Sequence, residues 1–158
     1  MSGTQAAVDA AAIGTIVSGR ALRFSLARML AFSGGAFDEA GWPQRNLHTD
    51  IECAREAGLA HIIASGTQSE GLLIGFLIDT FGSAHWYRDG QLEVRFLKPV
   101  KAGDVVRPKL RWTSRESVGE RTQWTAECWC ELESGDRVVD GMASCSIPSR
   151  GPHAHAPS

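Results

Sequence analysis

The chain has 158 residues, with 16 Lys and Arg against 18 Asp and Glu, a formal charge of -2 and 43% hydrophobic residues. That length suits one domain, and a near-neutral charge with no long basic run argues against a nucleic-acid groove or an anionic membrane surface. The longest apolar stretch, residues 71–78, falls far short of the roughly 20 residues that span a bilayer.

In chain order, residues 1–12 are small, polar and Ala-rich, and read as a tail without the basic start and long apolar core of a secretory signal. An early strand is expected within residues 13–22. Residues 24–32 place apolar side chains at Phe24, Leu26, Met29, Leu30 and Phe32 behind Ser25 as N-cap, which predicts a short helix. Ser33-Gly34-Gly35 breaks it, and a loop holding Gly41, Trp42 and Pro43 follows over residues 36–47. Thr49-x-x-Glu52 has the pattern of a capping box and opens a second helix, with Asp50 and Glu52 at its positive end and Gly58 as its C′ residue. A third helix starts near Ser65-Gly66-Thr67-Gln68, with Thr67-x-x-Glu70 as an alternative box. From Leu72 to Phe81 its apolar residues cover nearly every face, so the expectation is a helix enclosed by the rest of the fold.

The second half supplies an enclosure. Residues 91–100, 104–114, 122–131 and 138–147 alternate apolar and polar side chains with a period of two. They are separated by Ala102-Gly103-Asp104, Val118-Gly119-Glu120 and Ser134-Gly135-Asp136, which are turn sequences. Such short links predict an antiparallel meander with one face buried. On the third of these strands Trp124, Ala126, Cys128 and Cys130 share the apolar face, and Trp129 stands alone on the polar one. A curved antiparallel sheet around one helix is an α+β architecture. Residues 149–158 read as a second tail, where His153-x-His155 is too small a ligand set to indicate a metal. Cys53, Cys128, Cys130 and Cys145 form neither a Cys-x-x-Cys pair nor a dense disulfide pattern. The expectation is a reduced, cytoplasmic protein.

Several segments together carry a resemblance: Leu47-His48-Thr49-Asp50, then Ala54 and Gly58, then Ile63-Ala64-Ser65-Gly66, then Val94-Arg95-Phe96-Leu97-Lys98-Pro99-Val100-Lys101-Ala102-Gly103-Asp104. Over residues 21–147 the chain resembles the MaoC-like hot-dog family, which includes (R)-specific enoyl-CoA hydratases and acyl dehydratases. The resemblance implies a hot-dog fold, a sheet wrapped around a long central helix, over a single domain of residues 13–148. It also implies an acyl-thioester hydratase or dehydratase, a lyase using coenzyme A or acyl-carrier-protein thioesters with no metal or redox cofactor. It implies a homodimer or a heterodimer with a second hot-dog chain, since family sites lie near the subunit interface.

The resemblance assigns roles residue by residue. His48 aligns with the family's catalytic histidine, a group suited to moving a proton near neutral pH. Gly66 aligns with the position whose backbone N–H holds the thioester oxygen at a helix N-terminus, with Ser65 and Thr67 beside it. The family pattern Asp-x-Asn-Pro-x-His is broken, because Pro43 stands five residues before His48 where the carboxylate belongs. Asp38 is the candidate replacement, and Asn46 the candidate polar partner. Trp42 is a candidate wall of the acyl pocket or a cover for the core. The broken motif also fits a non-catalytic subunit of a heterodimeric dehydratase. A hot-dog thioesterase, with Glu70 or Asp79 on the central helix activating water, is a third reading. Two bland readings accompany these: Asp50 as a helix-start charge, and Arg107, Lys109 and Arg111 as a solvated strand face rather than a phosphate contact.

Overall fold

A computed structural model describes residues 11–149. The two terminal segments, apart from Ala11, Ala12 and Ser149, lie outside the described residues, as does the His153-x-His155 pair.

Strand β1 spans Ile16–Ser18 and β2 spans Leu22–Arg23, so the expected early strand forms in two short pieces. Both pair with β4, but Gly19 and Arg20 interrupt them. A Cβ at Gly19 would sit 2.7 Å from the Phe76 ring, so the break lets the central helix approach closely. Helix α1 covers Leu26–Ser33, and Ser25 caps it by accepting a hydrogen bond from the Arg28 N–H. Helix α2 covers Ile51–Glu56. Its cap is Asp50, which accepts from the N–H groups of Glu52 and Cys53, rather than the Thr49–Glu52 box. The Thr49 hydroxyl instead donates to the Gln44 carbonyl at 2.6 Å, so it is not free to cap. Gly58, at φ +78°, ends the helix as expected, with Leu59 N–H bonded to Ala54 O and Gly58 N–H to Arg55 O.

Helix α3, Gly66–Phe81, is the central helix, and α4, Ser83–Asp89, follows directly across Gly82. Helix α4 has no periodic signature in the sequence: it is seven residues long and Trp86 is its one buried residue, too little for a pattern. Neither box expected at the start of α3 forms. The hydroxyls of Ser65 and Thr67 bond each other at 2.7 Å, and Ser65 caps no N–H with its side chain. Leu73, Phe76, Leu77 and Phe81 are buried, but Gly71, Gly75 and Asp79 are exposed along the opposite face. The enclosure expected on every side is therefore open on one, because a single curved sheet covers only the face turned toward it.

Strands β3 (Gln91–Phe96), β4 (Val105–Val118), β5 (Arg121–Leu132) and β6 (Arg137–Pro148) complete an antiparallel sheet of six strands among the described residues. Its order is β1-β4-β5-β6-β3, with β2 also on β4. The chain thus has the α+β hot-dog architecture. Only β4-β5-β6 form the expected meander; β3 pairs with β6 at the far edge and not with β4. The link between β3 and β4 is held elsewhere, through Gly103 N–H on Phe24 O and Phe24 N–H on Asp104 O.

The concave face carries the core. Trp112 and Trp124 meet at 4.9 Å between centroids, Phe81 stands edge-on to Trp112 at 5.5 Å, and Cys128, Cys130 and Cys145 are fully buried between them and α3. Such aromatic pairs add about 0.5–1.5 kcal/mol each beyond their burial. Burial pushes the Cys128 and Cys130 thiols up to about 12, so both act as small core groups and not as thiolates. The convex face is a lattice of ion pairs. Lys109 meets Glu131 at 2.5 Å, Arg111 bonds Glu127, and Arg107 donates to Gly19 O at 3.0 Å, so all three basic residues are engaged as structural charges. Trp129, the apolar exception on this face, is buried beneath the Arg137 guanidinium at 4.2 Å and donates to Glu131 at 2.7 Å.

Glu127 gives this lattice a pH signature. The Arg137 guanidinium, and after it Arg111, holds its carboxyl below the usual carboxylate range. A group whose pKa is depressed by folding stabilises the fold above its unfolded pKa and loses that contribution as pH falls through the folded value. Stability is therefore expected to be flat near about pH 7 and to fall below about pH 4. Glu127→Gln lowers the urea midpoint at neutral pH and shallows the acid limb, which urea titrations across that range measure.

Candidate active site

The loop between α1 and α2 is organised by Asn46. Its Nδ2 donates to Ser33 O at 2.8 Å, and its Oδ1 accepts from the His48 N–H at 2.8 Å. The Asn46 carbonyl accepts from the N–H groups of Thr49 and Asp50, and its own N–H donates to the Thr49 hydroxyl at 3.0 Å. Short amide side chains that bond nearby backbone fix turns in this way. Arg45 grips Asp50 with two bonds, of 2.9 and 3.1 Å, and holds its carboxyl well below the usual range. Asp50 is thus spent on Arg45 and on the start of α2, which is the helix-start role.

The half-buried His48 ring bonds the Ile63 carbonyl through Nδ1 at 2.9 Å. A carbonyl only accepts, so Nδ1 carries the hydrogen and the neutral ring keeps its lone pair on Nε2, the arrangement a general base needs. Ile63 is itself pinned. It bridges Lys101, and the next N–H, of Ala64, donates to Val100 O at 2.8 Å. Three residues after Ile63, helix α3 begins at Gly66.

The first two amides of that helix, of Gly66 and Thr67, have no hydrogen-bond partner among the described residues. A helix N-terminus with free N–H groups is suited to an oxygen that gains negative charge. A cavity of about 490 Å³ lies against it, with Ser65, Gly66, Thr67, Phe96, Lys98 and Val139 in its wall. The Phe96 ring occupies the space next to Gly66, and a Cβ there would come within 2.9 Å of it. Glycine at this point lets a planar group lie directly on the helix start.

The structure therefore joins His48, through Ile63, to the segment carrying Ser65, Gly66 and Thr67. The other expected residues fall elsewhere. Asp38 is exposed in the loop, and no carboxylate bonds His48 among the described residues. Asn46 touches the His48 backbone and not its ring, so it positions the loop. Trp42 stacks on the exposed Phe37 at 4.8 Å and packs on Gly34 within the loop, and it lines none of these three cavities beside α3. Glu70 is half-buried and lines none of these cavities, whereas Asp79 lines an open one on the far part of α3. Among the described residues no three of His, Cys, Asp and Glu cluster as metal ligands. Sequence reasoning overlooked the tether from His48 to Ile63, which is a main-chain partner without a residue-type signal, and Gln68, whose capping-box position concealed it.

A family model described as MaoC like domain matches residues 44–127, more than half of the chain and inclusive of His48 and Gly66. The chain belongs to the MaoC-like domain family. No curated protein matches the sequence. Solved structures share the MaoC-like fold at low identity. A MaoC-like dehydratase from Rhodospirillum rubrum superposes with a TM-score of 0.73 at 20% identity, over 92% of this chain and 98% of that one. The (R)-hydratase from A. caviae involved in PHA biosynthesis gives 0.64 at 20%, over 88% and 98%. The HadBC (3R-hydroxyacyl-ACP dehydratase) complex from Mycobacterium tuberculosis gives 0.62 at 16%, over 85% and 96%. No helix of this MaoC-like chain, among the described residues, is long and apolar enough to cross a membrane.

Proposed function

We propose that the chain is an acyl-thioester hydratase or dehydratase, a hydro-lyase acting on an enoyl or 3-hydroxyacyl group carried by coenzyme A or a carrier protein. The observation that carries this reading is the coupling of a histidine whose Nε2 lone pair is free to a helix N-terminus whose first two amides are free. In the hydration direction the thioester oxygen accepts from the Gly66 N–H. His48 Nε2 takes a proton from water as the water oxygen bonds C3, and the enolate charge collects on the thioester oxygen. The His48 imidazolium returns that proton to C2, which completes the addition and restores the neutral ring. Preorganised N–H donors at a developing oxyanion supply about 2.7–4 kcal/mol in other enzymes, and a positioned acid–base about 10²–10⁴-fold. The chemistry needs no metal or redox cofactor.

The site is proposed to work in a homodimer or a heterodimer. The exposed Gly71, Gly75 and Asp79 face of α3 and the outer edge of β3 are the surfaces open to a second hot-dog chain, and the HadBC neighbour is a complex. One observation favours a second reading, a non-catalytic subunit: among the described residues no carboxylate bonds His48, and Pro43 holds the family's Asp position.

Purified chain incubated with crotonyl-CoA tests both. The first reading expects 3-hydroxybutyryl-CoA from a species that elutes as a homodimer. Turnover that appears only on co-expression with a second hot-dog chain selects the other.

A further inference from the structure

Gln68 is only 8% exposed, and neither its Nε2 nor its Oε1 has a hydrogen-bond partner among the described residues. The other buried side-chain polar atoms without partners among the described residues are one per residue: the Ser33 hydroxyl and the single N–H donors of Trp42, Trp112 and Trp124, the last two set in an aromatic cluster. Gln68 differs from them, since it presents a donor and an acceptor side by side on one planar group. Burying both unmade is unfavourable, and an apolar residue of the same length would avoid it.

The residue also lines a cavity of about 670 Å³ between α3 and the β2–α1 segment, within the size range of small-molecule sites, about 300–1,000 Å³. Phe24, Phe32, Leu72, Ser25, Arg28 and Thr67 share its wall. Arg28 is in no ion pair among the described residues, which leaves a cation for an anionic ligand. Thr67 lines both this cavity and the one at Gly66, so the two meet across the first turn of α3. Gly66 and Gln68 are about 3 Å apart along the helix axis but lie on different faces, so a ligand seated on the Gly66 amide reaches Gln68 by passing over Thr67, which lines both cavities. The terminal torsion of glutamine is broad, and the carboxamide turns toward the cavity without moving the helix.

We infer that Gln68 is the ligand-recognising residue of this second cavity, exchanging paired hydrogen bonds with a group that donates and accepts at once, a hydroxyl or a secondary amide. The inference rests on the thioester reading. A thioester substrate offers that chemistry from two sources: the hydroxyl at C3 of a hydrated acyl group, and the amides of the pantetheine arm.

The test is Gln68→Met, which keeps length and apolar bulk and deletes the amide. Two readouts are needed, the melting temperature without ligand, and calorimetric affinity for 3-hydroxybutyryl-CoA, crotonyl-CoA and CoA, the affinities taken with and without Gln68→Met in a His48→Gln background where the first two do not interconvert. The expected result is a melting temperature equal to or above that of the wild type, with affinity lowered about ten- to a hundred-fold. Weakening of 3-hydroxybutyryl-CoA alone identifies the hydroxyl, and weakening of all three identifies the pantetheine amides. A lower melting temperature overturns the inference, because the amide is then paired within the fold. Unchanged affinity for all three overturns it as well. If the wild type binds and hydrates crotonyl-CoA while the variant matches it, this inference alone falls. A wild type that binds none of the three removes the thioester reading too.

Discussion

His48→Gln is expected to lower kcat for crotonyl-CoA hydration by about 10²–10⁴-fold while leaving the melting temperature near that of the wild type. Glutamine is polar and similar in reach, and its amide N–H is able to donate to the Ile63 carbonyl as Nδ1 now does at 2.9 Å. It has no basic nitrogen to replace Nε2. The loop keeps its shape because Asn46 bonds the backbone of residue 48 and not the ring. The variant thus separates chemistry from folding. A melting temperature that holds while activity disappears assigns the loss to the proton transfer. Full activity in the variant removes His48 from the mechanism. KM is expected to change little, since a group that acts on water contributes mainly in the transition state.

The second large effect comes from the backbone at Gly66. Proline at this position deletes the N–H without deleting the helix. Gly66 is the first helical residue, where proline is well tolerated, and Ser65 before it has φ -58° and ψ 136°, the extended conformation that a following proline requires. Gly66→Pro is expected to reduce kcat by about 10²–10³-fold, the loss typical of one oxyanion donor. The control is Gly66→Ala. It adds the same Cβ near the Phe96 ring, 2.9 Å away, but keeps the N–H. Phe96 is exposed and free to turn aside, so the alanine variant retains most of its activity. Equal losses in the two variants would mean that crowding by the side chain, and not the missing hydrogen bond, governs the site. Circular dichroism confirms that the helix persists in both.

The legible parts of the fold were those whose signal is local. Alternation over β4, β5 and β6 was visible because each strand buries one face, and Trp124, Ala126, Cys128 and Cys130 all lie fully buried on it. Ser25 and Gly58 were readable as helix ends because the chemistry of a cap or of a positive φ is confined to one residue. The place of β3 was not readable. A three-residue turn before β4 looks like a hairpin, yet the Gly103 N–H donates to Phe24 O and the Phe24 N–H to Asp104 O, which ties that link to the start of α1, and β3 pairs across the sheet with β6. Which strand an edge joins is a long-range choice that no local pattern encodes. The open face of α3 was missed for a related reason. Its residues from Leu72 to Ile78 are apolar or glycine, and only the geometry of one curved sheet shows that Gly71 and Gly75 are left uncovered beside Asp79.

The same division holds at the site. His48 and Gly66 were marked by resemblance, and the structure adds the tether through Ile63 that relates them. Asp38 shows the limit of such reading, since a carboxylate in the right stretch of sequence was expected to reach the histidine and is instead exposed in the loop. Asn46 was expected as a polar partner for the reaction and proves to be a partner for the backbone. Side-chain type points to this loop in both cases, and the hydrogen bonds of Asn46 decide how the loop is held. Gln68 ran the other way, since a position that resembled a helix cap leaves a donor and an acceptor buried and unmatched.

Under the proposed function this chain adds water to carbon and leaves the thioester intact. Incubation with crotonyl-CoA in ¹⁸O-labelled water, followed by mass spectrometry of the products, tests it directly. One ¹⁸O is expected in the acyl group of 3-hydroxybutyryl-CoA, placed on C3, with no free coenzyme A thiol. Label in a released carboxylate together with free thiol, or no incorporation by the chain alone or by its dimer, would contradict it.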